Sequence, residues 1–243
     1  MSKLMKSAMM MAALVVGATV AVAELPVKDG QKIAFLGDSI TQGGVGPHGY
    51  VTLVMKGLEA NGVKATAVPA GISGHKSNDM LARLDRDVLS KKPDWMTLSC
   101  GVNDVWHGAR GVPLDQYKVN ITKIVEQCQA AGIKVMILTS TMIGEDQPNA
   151  NNQKLVAYND FLKTLAKEKA CLLADLNGDM QAAIAKVGAA KTGNLLTGDG
   201  VHMNPAGNEM MAAGVLKAFG LSEAQLEIAK QSWVAAVPVK KAN

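Results

Sequence analysis

An open α/β sandwich, a parallel sheet between two layers of helices, is the fold predicted by three features of this 243-residue chain. Five short, nearly continuous apolar runs alternate with longer amphipathic ones, and strand–helix alternation of that kind builds parallel sheets with helices on both faces. The apolar runs lack the in–out alternation of half-exposed strands, as expected where both faces are covered. The amphipathic runs carry helix end signals.

In chain order, the strand candidates are Lys32–Leu36, Ala65–Val68, Trp95–Ser99, Lys134–Leu138 and Cys171–Ala174. Between them lie helix candidates at Tyr50–Ala60, Ser77–Leu89, Leu114–Ala131 and Ala150–Lys169. Pro113 suits the opening of the third, Asp115 its first turn, and Gly62 and Gly132 close the first and third. Beyond Ala174 follow a helix around Asp179–Lys186, a Gly/Thr/Asn-rich stretch to Gly200 and a helix from Pro205 to Phe219. Ser222 with Gln225 spells a capping box for a last helix through Lys230. The tail from Ala235 reads as loose. Right-handed crossovers place every strand-to-helix loop on one edge of the sheet, and ligand sites of open parallel sheets lie outside that edge. Residues that carry chemistry are therefore expected directly after strands.

Residues 1–23 read as an export signal. Lys3 and Lys6 form a basic start, Ala8 through Val20 an apolar run, and Ala21-Val22-Ala23 a small-x-small cleavage pattern before Glu24. The apolar run is shorter than the roughly 20 residues of a spanning helix, and no cysteine sits near the cleavage point for a lipid anchor. Cleavage would lower the formal charge from +4 to about +2, because two lysines leave and no acidic residue does. That near-balance implies neither nucleic acid nor an anionic membrane surface as a partner. The remaining residues, 24–243, suit one domain with a core over about 32–220. Cys100, Cys128 and Cys171 are odd in number, fit no metal spacing and sit in or beside apolar segments, so buried free thiols are expected.

Four short patterns fall where the topology expects chemistry. Gly37-Asp38-Ser39 follows the first strand, where a serine beside glycine can present its hydroxyl at the sheet edge. An Asp-Ser turn capping a helix would spell the same letters. Gly71 follows the second strand and lets a backbone N–H approach a ligand closely. Gly101-Val102-Asn103-Asp104 follows the third, and the Asn103 amide is suited to donate to a developing oxyanion. It would equally make an ordinary turn. Asp199-Gly200-Val201-His202 stands in the late loop, where the carboxylate can reach and orient the imidazole without long-range closure. Four independent coincidences at the ligand edge are improbable, and the joint reading outweighs its parts.

The set resembles the GDSL/SGNH hydrolases, whose four blocks supply serine, glycine, asparagine and histidine in that order. The resemblance runs from Lys32 to Phe219 and implies a flavodoxin-like fold with a five-stranded parallel sheet. It also implies Ser39 as nucleophile, His202 as base and Asp199 as orienter, with the Ser39 and Gly71 N–H groups and the Asn103 amide as oxyanion hole. No cofactor and no metal are implied. Asp38, His75, Trp106 and His107 flank these blocks and are further candidates for touching substrate; packing explains each of them as well. Asn120-Ile121-Thr122 matches a glycosylation acceptor but falls inside an expected helix.

The family includes carbohydrate acetylesterases, lysophospholipases, thioesterases and lipases, so the fold does not choose the ester. Export, compact size and a polar loop at Gly144–Asn149, expected to offer Glu145, Asp146, Gln147 and Asn149 to sugar hydroxyls, favour a short acyl group on a carbohydrate. A lipid-directed enzyme of the same fold would need a long apolar groove at the edge. A glycan-binding module without catalysis would not need all four blocks.

Overall fold

The computed structural model describes residues 24–188 and 192–234, so the expected leader and the tail from Ala235 lie outside the described residues. Five strands form one parallel sheet: β1 (Lys32–Gly37), β2 (Thr66–Gly71), β3 (Trp95–Ser99), β4 (Lys134–Leu138) and β5 (Leu172–Ala174). Their order is β2-β1-β3-β4-β5, the flavodoxin-like arrangement. The central strands are apolar and buried along nearly their whole length, with Ile33 to Leu36, Met96, Leu98 and Met136 to Leu138 fully covered. β2 lies on the edge, is only partly covered and carries Pro69, which an edge strand tolerates because one of its sides donates to no neighbour.

After β1 come α1 (Ser39–Gly43) and α2 (Tyr50–Ala60); α3 (Ser77–Ala82) and α4 (Leu84–Asp87) lead to β3. Then follow α5 (Val102–Trp106), α6 (Leu114–Ala130), α7 (Ala150–Glu168), α8 (Leu176–Val187), α9 (Pro205–Ala218) and α10 (Glu223–Val234). α2 packs with α9 and α10, while α6 packs with both α3 and α7, and α6 and α7 lie against β4. Because the chain first crosses from β1 to β2 and then returns past β1 to β3, right-handed connections put these two groups on opposite faces. The reversal leaves a crevice where the loops after β1 and β3 diverge, the position where such sheets bind ligands.

Two elements differ from the sequence reading. The helix expected over Ser77–Leu89 is interrupted at Arg83, which has φ −105° and ψ 5°. Its guanidinium is buried and donates to Ala70 O, Gly37 O and Asp87, so the side chain is drawn beneath the ends of β1 and β2 at the expense of helical continuity. The last helix is longer than expected, reaching Val234, because Trp233 is buried and donates to Leu53 O at 2.8 Å. The capping box forms as read, with Ser222 N and Oγ each 3.0 Å from Gln225 Oε1. Cys100 and Cys128 are buried free thiols and Cys171 is half-buried and free. Asn120 is buried and donates to Ser77 Oγ, so a glycan there would have no room. Among the described residues no helix is long and apolar enough to cross a membrane.

Candidate active site

The turn after β1 gives the serine its position. Asp38 is the N-cap of α1, its Oδ1 accepting the Ile40 N–H at 2.9 Å, so Ser39 opens the helix. Backbone N–H groups in a first turn have no acceptor within the helix and point outward. Gly71 ends β2 against this turn. A Cβ on Gly71 would overlap the backbone nitrogen of Gln42 in α1, so only glycine lets the two loops approach this closely.

Ser39 Oγ lies 2.9 Å from His202 Nε2. His202 Nδ1 in turn lies 2.6 Å from Asp199 Oδ2. A carboxylate only accepts, so the imidazole proton sits on Nδ1 and leaves Nε2 as acceptor for the serine hydroxyl. Asp199 Oδ1 also accepts the N–H groups of Val201 and His202, at 2.9 and 2.7 Å. These bonds, the His202 side chain foremost, hold the Asp199 carboxyl down at about 2, so it is ionised throughout the neutral range. Asn204, two residues past the histidine, is the N-cap of α9, accepting from Gly207 N, with Pro205 in the first turn.

The turn after β3 places Asn103 with similar redundancy. Gly101 has φ 136°, a conformation L-residues avoid, and faces Ser140 too closely for a Cβ. Cys100 O accepts from Tyr117 Oη and Ser140 Oγ, at 2.8 and 2.6 Å. Asp104, fully buried, accepts from Ser77 N and Ser77 Oγ at 3.0 and 2.6 Å, locking this turn to the start of α3. The Asn103 amide nitrogen then points between Asp38 Oδ2 at 3.3 Å and His75 O at 3.2 Å. Both contacts are long, which leaves the donor exchangeable for a better acceptor.

His202 is thus within hydrogen-bond reach of both Ser39 and Asp199, and Asn103 is bonded to Asp38, the residue before Ser39. The other candidates separate. Asp38 is buried, and its carboxylate is taken up by the Ile40 N–H and the Asn103 amide, in contrast to the direct ligand contact expected from its place in the sequence. His75 is half-buried; its Nδ1 accepts from Arg83 Nε at 3.0 Å, and burial and that guanidinium lower its pKa, so it presents a neutral ring with the proton on Nε2. Trp106 and His107 end α5 at the surface, ring centroids 6.3 Å apart, with Trp106 45% exposed. Glu145 corrects the reading of the Gly144–Asn149 loop: it is buried and accepts from the segment Leu195–Thr197, while Asn149 caps α7. Neither is directed at solvent as the loop's polarity suggested. Arg83, Ser77 and Asn208, whose side chain holds Tyr50 N and Met203 O, were not legible as parts of the site, since a lone polar residue carries no periodic signal.

Burial pushes the Asp38 carboxyl up to about 6, against the opposing pull of the Ile40 N–H and of His202. A carboxyl with a raised folded-state pKa favours the fold below its unfolded value and loses that advantage as pH rises through the folded one. Ionisation of Asp38 therefore costs stability between pH 4 and 6, on the order of 3 kcal/mol in full. Asp38→Asn cannot ionise, so its Tm relative to the wild type should rise across that interval and level off above it. Thermal melts of both proteins from pH 4 to 8 test this, and a constant difference would refute it.

Comparison with known proteins gives one answer at two levels. The chain is similar to an acetylxylan esterase of Geobacillus stearothermophilus, 28% identical over 219 residues, covering 81% of this chain and 97% of that one. A crystal structure of that bacterium's acetylxylan esterase superposes with a TM-score of 0.72 at 27% identity, covering 81% and 97%. Structures of its catalytic mutants each replace a serine, an aspartate or a histidine with alanine. The acetyl xylan esterase AlAXEase superposes with a TM-score of 0.73 at 36% identity, covering 77% of this chain and 98% of that one. The model of the GDSL-like lipase/acylhydrolase family matches residues 35–210. That match spans most of the chain, and the protein belongs to this family of serine ester hydrolases.

Proposed function

We propose that the protein is an exported O-acetylesterase acting on carbohydrate, with Ser39 as nucleophile, His202 as general base and acid, and Asp199 as the group that orients the imidazole. The observation that carries the chemical part is the unbroken line from Ser39 Oγ through His202, 2.9 Å on one side and 2.6 Å on the other, to Asp199. Ser39 Oγ attacks the ester carbonyl carbon while its proton passes to His202 Nε2. The carbonyl oxygen becomes an oxyanion held by the N–H groups of Ser39 and Gly71 and by the Asn103 amide, which exchanges its long contact to Asp38 for this stronger acceptor. Collapse expels the sugar oxygen, protonated by His202, and leaves acetyl on Ser39. Water, deprotonated by His202, attacks that acyl group, and acetate leaves with the enzyme restored.

The acyl preference rests on space. Beside Ser39 and His202 lies a hollow of about 120 Å³, lined by Ile40, Gly43, Met203 and Asn208. This is the volume of about four water molecules, enough for an acetyl group and too little for a fatty chain. A larger hollow, about 530 Å³ between the Gly108–Leu114 segment and α7, touches none of the residues assigned to chemistry. The names of the two acetylxylan esterases support the carbohydrate part of the reading, and the exposed Trp106 ring beside His107 offers a flat apolar face to a sugar. Export rests on the residue 1–23 pattern, and no stable membrane association is proposed once the leader is removed.

Each added methylene contributes about 0.8 kcal/mol, roughly fourfold, only where apolar surface receives it. In a hollow of this size kcat/KM for 4-nitrophenyl esters should be highest for acetate and fall steeply beyond about four acyl carbons. The same preparation should release acetate from acetylated xylo-oligosaccharides. A profile still rising at eight carbons would instead favour a lipid-directed enzyme.

A further inference from the structure

The pair Asp199–His202 sits near the tip of an exposed loop, yet imidazole and hydroxyl must stay aligned to within a fraction of an ångström. Hydrogen bonds within the loop fix Asp199 against His202, while the bond from His202 to Ser39 crosses between two separate loops and needs the late loop itself to be held. A buried carboxylate lies at the base of that loop. Glu145 Oε2 accepts from Leu195 N at 2.7 Å; Oε1 accepts from Leu196 N at 2.7 Å, Thr197 N at 2.8 Å and Thr197 Oγ1 at 2.8 Å. The Thr197 hydroxyl, which donates its hydrogen bond to Glu145, accepts the Gly200 N–H at 3.1 Å. Gly200 O accepts from Gly144 N at 2.7 Å, so the residue next to Asp199 is gripped on both sides. The loop closes with Gly198 N on His202 O at 2.8 Å and Asn204 N on Leu196 O at 3.0 Å.

Glu145 is itself anchored. Asn152, in the first turn of α7, accepts from Ile143 N at 2.8 Å and donates to Gly144 O at 2.9 Å. Asn152 of α7 thus holds the backbone on either side of Glu145, and Glu145 in turn holds, through Thr197, the turn that bears Asp199 and His202. Successive backbone N–H groups converging on one anion form a concave, charge-matched seat, and such bonds are the stronger ones. The Leu195, Leu196 and Thr197 groups bonded to Glu145 are all donors. Glutamine, with a donor of its own, cannot satisfy the seat.

We propose that Glu145 is a positioning residue for the hydrolytic reaction: it holds the Asp199–His202 turn at the height where His202 Nε2 meets Ser39 Oγ. The proposal rests on the assignment of Ser39 and His202 as nucleophile and base. Small misplacements at a reacting centre cost up to about 10² in rate without weakening substrate binding, which separates this role from one in substrate recognition.

The test uses a tagged alkyl fluorophosphonate, in which Ser39 Oγ displaces fluoride from phosphorus as its proton passes to His202. The amplitude of labelling counts assembled sites, and the rate constant measures alignment within each. Wild type should label fully and Ser39→Ala not at all; an unlabelled wild type would sink the assignment of Ser39 rather than the proposal about Glu145. Glu145→Gln should label to near-full amplitude but roughly 10- to 100-fold more slowly, with kcat for 4-nitrophenyl acetate falling in parallel and KM within about threefold of wild type. A rate constant within twofold of wild type overturns the proposal, whether or not the amplitude falls, because a residue needed only for folding lowers the number of sites and not their speed. If Glu145→Gln does not fold, Thr197→Val, which keeps the shape and removes the hydroxyl link, decides in the same terms. It should slow labelling several-fold while Thr197→Ser restores it; a wild-type rate in Thr197→Val then overturns the proposal.

Discussion

Replacing Ser39 by alanine is expected to lower kcat for 4-nitrophenyl acetate by roughly 10⁶ while the protein stays folded and binds substrate as before. The side chain is half-buried at the first turn of α1, so losing its hydroxyl removes one hydrogen bond and leaves no cavity of consequence. His202→Ala should cost about as much. The two act as one unit, since neither an unactivated hydroxyl nor a base without a nucleophile does the chemistry, and the double variant should be little worse than either alone. Asp199 is more than half exposed, and its carboxylate is also tied to the His202 backbone. Asp199→Asn should therefore leave more activity than either of the other two. Steady-state kinetics on purified variants, with circular dichroism to confirm folding, decide the matter. Near-wild-type turnover in Ser39→Ala would falsify the assignment.

The parts of this fold legible from sequence are those fixed by local pattern. β3 and β4 have the bounds expected for them because each is an apolar run enclosed by polar or glycine-rich turns, and burial on both faces leaves no competing reading. β2 runs past its expected end to Gly71, since Pro69 interrupts the apolar pattern yet is tolerated on an edge strand. The break at Arg83 was invisible for a different reason. Periodicity records which side chains are apolar, whereas Arg83 is buried against acceptors that periodicity does not see: the carbonyls of Gly37 and Ala70 at the ends of two strands, and His75 Nδ1. Glu145 fails in the same way: in a loop of Gly, Glu, Asp, Gln and Pro it reads as solvated, and only the convergence of Leu195, Leu196 and Thr197 makes it an interior group.

The site shows the same division. Asp199 and His202 are three residues apart and meet within one turn, so their pairing needs no knowledge of the fold. Ser39 is 163 residues from His202, and its place could be argued only because both fall on the loop edge of one sheet. Asp38, adjacent to Ser39, invited a reading as a substrate contact; the structure turns its side chain inward, where burial and the Asn103 amide define it.

Asn103→Ala is expected to lower kcat by about 10²–10³ with a smaller change in KM, the usual consequence of losing one donor to a developing oxyanion. The resting geometry explains why the loss should fall on kcat. Before reaction the amide nitrogen has acceptors in Asp38 and His75 at 3.2 to 3.3 Å, distances at which little is surrendered on exchange. A neutral ester carbonyl competes poorly with the buried carboxylate for this proton, and a full oxyanion competes well. The interaction is thus made chiefly in the transition state, where it accelerates the chemical step. The same variant deprives Asp38 Oδ2 of a donor, which should also cost stability, on the order of 1–3 kcal/mol. Rates must accordingly be expressed per fluorophosphonate-titrated site. If instead KM rises and kcat per site stays constant, Asn103 grips the ground-state ester, and the oxyanion is held by the backbone N–H groups alone.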